Sequence, residues 1–310
     1  MPMTKTFSLQ GLQLPHQAEF LVSKLMQSPP LQWYDRHITV QRLDLLHPKI
    51  NGNKPFKLLG HLEKLYAGGY EGWISFGGAW SNHLDAFSAI SNKLGIASIA
   101  FVRGDEAVPP SALISELRER GTQVKFLDRQ AYRHKANLGW LDKLQSEYPK
   151  YLIVPEGGGD AAGQQFCDCI LDAWETGQRS IPQYLCLAVG TGTTAVGLAK
   201  AVKKRGYSCQ IIAVPILKYP GFEQEVRQLA GDAADYIIWL AGYEQGGYAK
   251  VPQAYIEQVT ALKKAGLPLD PIYNGKAFIA ALDFAKSIGK QQLGFLHTGG
   301  QQGWRGFNRG

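Results

Sequence analysis

From about Trp73 onward, short apolar runs alternate with amphipathic helical stretches, and this rhythm constrains the fold more than any other feature of the chain. Trp73–Phe76, Ala97–Val102, Gln123–Phe126 and Tyr151–Val154 read as buried strands. Between them the 3.6-residue period predicts helices at about Asn82–Leu94, Ser111–Arg120 and Tyr132–Glu147. The same alternation continues with strands at Tyr184–Ala188, Gln210–Val214 and Leu293–His297, and helices from about Thr194 to Arg205 and Ala277 to Ile288. Strand and helix in turn imply largely parallel sheets covered on both faces, so the expected class is α/β.

At 310 residues the chain exceeds one ordinary core, which predicts two domains. Two glycine-rich breaks, Asn51-Gly52-Asn53-Lys54 and Pro155-Glu156-Gly157-Gly158-Gly159-Asp160, bracket a small domain over 54–159. The flanking pieces, 1–53 and 160–310, would form a larger, discontinuous domain. No apolar run approaches the roughly 18 residues that span a bilayer. The start, Met1-Pro2-Met3-Thr4-Lys5, leads into no continuous apolar core, so no signal peptide is expected and a cytoplasmic location is. The formal charge of +7 is scattered. Its densest clusters, Lys203-Lys204-Arg205 and Lys263-Lys264, fall near helix ends, where the helix dipole favours cations. Neither a nucleic-acid stripe nor a membrane partner is expected. Cys167, Cys169, Cys186 and Cys209 lack zinc-ligand spacing and read as buried free thiols.

Open parallel sheets hold ligands where strands end in glycine turns, and four segments here carry such chemistry. In Asn51-Gly52-Asn53-Lys54-Pro55-Phe56-Lys57-Leu58 a lysine opens a helix. A surface lysine is the ordinary reading, but the dipole at a helix start lowers an amine's pKa, and the neutral amine is what forms a Schiff base. In Ser75-Phe76-Gly77-Gly78-Ala79-Trp80-Ser81-Asn82-His83, Ser81 and Asn82 open a helix either as a cap or as donors around a carboxylate or ring oxygen. Val189-Gly190-Thr191-Gly192-Thr193-Thr194-Ala195 follows a strand and opens a helix, an arrangement that holds anions. Its G-x-G-x-x-A spacing also suits a dinucleotide, but the next strand ends Ala213-Val214-Pro215 without the acidic residue that reading needs, so a cup for one phosphate monoester is preferred. The last pair, Pro271-Ile272-Tyr273-Asn274-Gly275-Lys276 and Leu296-His297-Thr298-Gly299-Gly300, puts polar side chains beside glycine.

Together these segments resemble the fold-type II pyridoxal-phosphate enzymes, in the tryptophan synthase β-like group, and within them the branch of 1-aminocyclopropane-1-carboxylate deaminase and D-cysteine desulfhydrase. The resemblance runs in order from about Trp33 to Gly300. It is carried by Gly52-Asn53-Lys54-x-x-Lys57-Leu58, Gly77-Gly78-x-x-Ser81-Asn82, Thr191-Gly192-Thr193-Thr194 and Asp270-Pro271-Ile272-Tyr273-x-Gly275-Lys276. The resemblance implies pyridoxal 5'-phosphate carried on Lys54, which also moves the α-proton. It implies a phosphate site of Lys57, Gly190, Thr191, Gly192, Thr193 and Thr194, and further cofactor contacts from Asn82, Asn274 and Thr298. Asn82 would meet the ring oxygen while Ser81 and His83 face the substrate carboxylate, and Tyr273 and Tyr248 would be the active-site tyrosines. A homodimer is the family's usual assembly.

Two departures bear on the reaction. Pro55-Phe56 replace the usual basic residue after the lysine. Asn274 stands where the deaminase has a glutamate and the desulfhydrases a threonine, beside the pyridine nitrogen. An amide there is expected to hold that nitrogen unprotonated, weakening the ring as an electron sink. The sequence therefore predicts a lyase that eliminates a β-substituent from a small amino acid such as D-cysteine, giving pyruvate, ammonia and sulfide. A 1-aminocyclopropane-1-carboxylate deaminase, a pyridoxal-phosphate-binding protein with little catalysis and a nicotinamide dehydrogenase are the alternatives.

Overall fold

The computed structural model describes residues 31–33, 38–176, 180–247 and 249–306. The strands are β1 Leu31–Trp33, β2 Ile38–Gln41, β3 Gly72–Gly78, β4 Ala97–Arg103, β5 Gln123–Leu127, β6 Tyr151–Ile153, β7 Tyr184–Val189, β8 Gln210–Pro215, β9 Ile237–Trp239 and β10 Leu293–Leu296. They form a six-stranded sheet in the order β1-β2-β10-β7-β8-β9 and a four-stranded sheet in the order β5-β4-β3-β6. Among the described residues, only the β1–β2 pair is antiparallel; the other pairings are parallel. The α/β reading of the sequence is thus borne out.

The connecting helices are α1 Lys54–Ala67, α2 Asn82–Leu94, α3 Ala112–Glu119, α4 Arg129–Arg133, α5 Leu138–Glu147, α6 Ala161–Gln165, α7 Cys169–Thr176, α8 Thr193–Arg205, α9 Phe222–Ala230, α10 Gln253–Lys264 and α11 Asn274–Ser287. The sequence predicts one helix over Tyr132–Glu147, but the chain stops and restarts there. Asp128 caps α4 by accepting from the Gln130 and Ala131 N–H groups, and Asn137 caps α5 by accepting from Trp140. Two capping side chains, Asp128 and Asn137, split what periodicity alone joins. At the other end, α11 begins three residues before the predicted Ala277. Asp270 accepts the N–H groups of Ile272, Tyr273 and Asn274, so its carboxylate takes up donors that a helix start leaves without partners.

Three layers of apolar packing hold the sheets. Trp73 and Phe87 from the four-stranded side share one cluster with Leu187 and Val196 from the six-stranded side. Val40, Ile212 and Phe295 pack with Phe278 on a second face. Ile74, Phe76 and Phe101 pack with Leu144 on a third. The central strands β3 and β4 of the shorter sheet are buried along nearly their whole length, which is why they read as apolar runs. In contrast, β5 and β6, read from the sequence as buried, lie at the sheet's edges and are only partly buried. Among the described residues, no helix is long and apolar enough to cross a membrane.

This packing brings strand ends of the two sheets together. The loop after β6 meets the loop after β7, where Lys57 reaches Gly157 and Thr191. The loop after β3 meets the loop after β10, where Asn82 lies against Gly300.

Candidate active site

Lys54 is the first residue of α1. The turn before it needs glycine: Gly52 has φ 67°, and a Cβ there would lie 2.0 Å from the Thr298 carbonyl oxygen. That close approach places the start of α1 against the loop after β10. The Lys54 amine donates to Asn53 Oδ1 at 2.5 Å. Asn53 in turn donates from Nδ2 to Thr194 Oγ1 at 2.9 Å. Burial lowers the Lys54 pKa to about 8, and the Asp270 charge partly offsets it. The sequence argument expected a lowered pKa from the helix dipole; the structure assigns it chiefly to desolvation.

One turn along α1, Lys57 is buried and donates to the Gly157 carbonyl at 2.5 Å and to Thr191 Oγ1 at 3.2 Å. Thr191 Oγ1 is also 2.9 Å from Thr193 Oγ1. Burial, followed by the neighbouring Lys54 charge, lowers the Lys57 pKa to about 7. Gly192, at φ 77°, turns the chain into α8, a helix of 13 residues. Two threonine hydroxyls, a lysine and a helix N-terminus therefore converge on one spot, the arrangement that binds a phosphate. Gly190 keeps the strand end flat, since a Cβ there would approach the Tyr273 ring to 3.3 Å. A cavity of about 660 Å³ opens beside Gly190 and Thr191 and runs between Phe76, Pro155 and Leu217.

Across the cleft, Ser81 caps α2 by accepting from the Leu84 N–H at 3.2 Å. Asn82 Nδ2 lies 2.6 Å from where a Cβ on Gly300 would sit, so the amide rests against backbone that only glycine leaves open. His83 departs from the sequence expectation. It is 3% exposed, and its Nε2 lies 2.7 Å from Ser75 Oγ, which donates to the Val154 carbonyl. Ser75 therefore accepts from His83, leaving Nδ1 as an acceptor. Burial, with Lys57 and Lys54 adding to it, lowers the His83 pKa well below its ordinary value. A neutral imidazole turned toward β3 is not a partner for a substrate carboxylate.

The third group surrounds Asn274, and here too the geometry corrects the sequence reading. Asn274 is 1% exposed. Its Nδ2 donates to Asp270 Oδ2 and to the Gly299 carbonyl, each at 2.6 Å. Its Oδ1 accepts from the Thr298 N–H at 2.9 Å and from Thr298 Oγ1 at 3.0 Å. Both donors and both lone pairs of the amide are engaged, so Asn274 has none left for a ring nitrogen. Tyr248 lies outside the described residues.

Sequence reasoning passed over three residues that the structure places in these contacts. Asn53 links Lys54 to Thr194, Gly157 supplies a carbonyl to Lys57, and Asp270 orients Asn274. Asp270 stood in the sequence as a motif letter; its position four residues before Asn274 was the one available signal.

A basic amine of lowered pKa, a phosphate cup within one turn of it, an amide across the cleft and glycines wherever backbone comes close fit one cofactor. The chain matches, over residues 30–299, the family described as pyridoxal-phosphate dependent enzyme, and it belongs to that family. It is 28% identical over 281 residues to a protein of Pyrococcus furiosus named putative 1-aminocyclopropane-1-carboxylate deaminase, covering 86% of this chain and 85% of that one. It is 23% identical over 287 residues to the D-cysteine desulfhydrase of Serratia proteamaculans, covering 86% and 87%. Its fold is similar to the crystal structure of an ACC deaminase homologue, with TM-score 0.77 at 21% identity over 94% of this chain and 96% of that one.

Proposed function

We propose that this pyridoxal-phosphate enzyme is a deaminating lyase that eliminates the β-substituent of a small amino acid, with D-cysteine or an analogue as substrate. Water is consumed, and pyruvate, ammonia and sulfide are the products. The observation that carries the reading is the Lys54 amine, part-buried at the start of α1, where desolvation lowers its pKa to about 8, so that its neutral form is present near neutrality. Pyridoxal 5'-phosphate, when bound, supplies the electron sink that makes the α-hydrogen acidic.

The chain's own residues supply the rest. Lys54 holds the cofactor covalently and takes the α-proton of the substrate. Lys57, Thr191, Thr193 and Thr194, with Gly190 and Gly192 giving backbone room, hold the phosphate. Asn82 donates to the ring oxygen, and Ser81 with the N–H groups at the start of α2 meets the substrate carboxylate. Tyr273, beside Gly190, closes one side of the site, with Tyr248 as its proposed counterpart.

A thiolate leaves readily once the α-proton is gone, so one correctly placed amine suffices for elimination. The cyclopropane substrate carries no hydrogen on Cα, and its opening needs a further nucleophile or base. That requirement favours elimination over deamination of 1-aminocyclopropane-1-carboxylate, although relatives bearing that name keep it as the second reading. The discriminating experiment is a panel of D- and L-cysteine, β-chloroalanine and the cyclopropane amino acid, with pyruvate and sulfide measured separately. Elimination from a cysteine enantiomer with poor ring opening is expected. Efficient ring opening with no sulfide release would overturn the proposal.

A further inference from the structure

The chain past Gly300 lies beyond the family match, which ends at residue 299, yet it touches both sides of the cleft. Gln301–Gly306 form a short 3₁₀ helix. Two of its side chains fasten it to the six-stranded side. Gln301 Nε2 donates to the Pro268 carbonyl, and Trp304 Nε1 donates to the Leu269 carbonyl at 2.8 Å. Trp304 also packs against the apolar cluster of Phe278 and Phe295, with the Lys263 ammonium 5.3 Å from its ring centre. The next residue reaches the other way. Arg305 pairs with Glu116 Oε1 at 2.7 Å. Glu116 belongs to α3, which packs on β5 of the four-stranded sheet, and its other oxygen holds Lys49 and Arg120. The Arg305 guanidinium also sits 5.8 Å from the Trp80 ring centre, and a Cβ on Gly306 would come within 3.3 Å of Trp80 Nε1.

Trp80 stands in the loop between β3 and α2, directly before Ser81 and Asn82. From its own side that loop is held by Ser111, which caps α3 and donates from Oγ to the Ala79 carbonyl at 2.5 Å. From the six-stranded side it is met by one continuous stretch, with Gly300 against Asn82 and then Arg305 and Gly306 against Trp80. We propose that Trp304 and Arg305 are a clasp, one residue fastened to each side, that sets the Trp80-Ser81-Asn82 loop against the loop after β10, and that Arg305 is thereby a positioning residue for substrate binding. The consequence for the substrate rests on the reading above, in which Ser81 and the start of α2 meet its carboxylate. Arg305 acts through Trp80 and Glu116, not by contact with the substrate. A guanidinium suits this place because its face can lie near a ring while its edge donates to a carboxylate.

The test is hydrogen-exchange mass spectrometry of the holoenzyme, reconstituted with pyridoxal 5'-phosphate and without substrate, on wild type, Arg305→Ala and Glu116→Gln. In Arg305→Ala the amides over 79–83 should exchange about fivefold faster, the size expected of one exposed ion pair and one cation–π contact together, while those of α11 stay as in the wild type. Raising the ionic strength should narrow that difference, because salt screens the pair with Glu116. Glu116→Gln removes the charge at the other end and should speed exchange at the same amides; it decides the point if Arg305→Ala does not fold. With whichever amino acid the wild type turns over, Arg305→Ala should raise KM about fivefold and leave kcat within about twofold, the mark of lost substrate positioning. Unchanged exchange over 79–83 in both variants would overturn the proposal. So would a rise spread equally over α11, or a fall in kcat at unchanged KM. A wild type that turns over no amino acid would instead overturn the functional reading, and the exchange comparison would still test the clasp.

Discussion

The two ends of the site differ in how their polar groups are occupied. Around Asn274, every hydrogen-bonding position of the amide is taken by Asp270, Gly299 and Thr298. Around Thr191, the hydroxyls bond to each other and to Lys57, and no side chain caps the start of α8, which follows the cavity-lining Gly190 and Thr191. The first is a finished network in which the amide has no position left for a ligand. The second is a set of donors that a phosphate can reorganise. A saturated buried network resists rearrangement, whereas the cup can still reorganise its donors. Lys54 joins the two: Asn53 ties it to Thr194, and the Asn53 N–H reaches the Thr298 carbonyl.

Removing that joint should have the largest effect. Lys54→Ala is expected to abolish the cofactor's visible absorption band and to lower pyruvate release by about 10³-fold or more, roughly 4 kcal/mol of barrier. Attachment of the cofactor to Lys57 or Lys276 in the wild type, found by borohydride reduction and peptide mapping, would break the assignment of both ends at once.

Next in size is the saturated end. Asp270→Ala leaves four buried donors without their acceptor, and a loss of about 3 kcal/mol or more in unfolding free energy is expected. Denaturant melts of the apo protein measure it. A change under about 0.5 kcal/mol, the range of ordinary surface substitutions, would show that the network is not the rigid element described.

The cup should respond differently. Thr193→Ala combined with Thr194→Ala is expected to weaken cofactor retention about tenfold, or roughly 1.4 kcal/mol. The apo protein's melting point should stay close to that of the wild type, although Thr194 also receives the Asn53 bond. Equilibrium dialysis together with thermal melts separates the two quantities. Equal losses in both would erase the contrast between the two ends.

The smallest effect concerns pH. With the Lys54 pKa lowered to about 8, the neutral, nucleophilic amine is the form favoured above that value. Attachment of pyridoxal 5'-phosphate to the apo protein should therefore speed up about threefold between pH 7.5 and 8.5 and level off above. A rate still rising in proportion up to pH 10 would place the amine at an ordinary lysine value and remove desolvation from the account.

The alternation that predicted buried strands around Trp73 and Tyr184 was legible because parallel strands covered on both faces must be apolar along their length. The cup at Gly190–Thr194 was legible for a similar reason: a glycine turn between strand and helix has a local use whatever surrounds it. The breaks were harder. Asn137 reads as one more polar residue in a helical period, and only its cap bond to Trp140 shows that α5 starts there. β9 at Ile237–Trp239 is three residues long and was not read from the sequence.

His83 and Asn274 mark the boundary between what the chain dictates by itself and what folding decides. The sequence determined which residue types stand at which strand end, and through them the class of fold and the cofactor. It could not determine which of their polar groups face outward. That depends on partners far along the chain: Thr298 for Asn274, Val154 for the serine behind His83, Gly157 for Lys57. A side chain's donors and lone pairs are few, and a buried group takes whichever partners packing brings within about 3 Å. Local spacing predicts that a group is present, while the tertiary contacts decide whether it is still free to act.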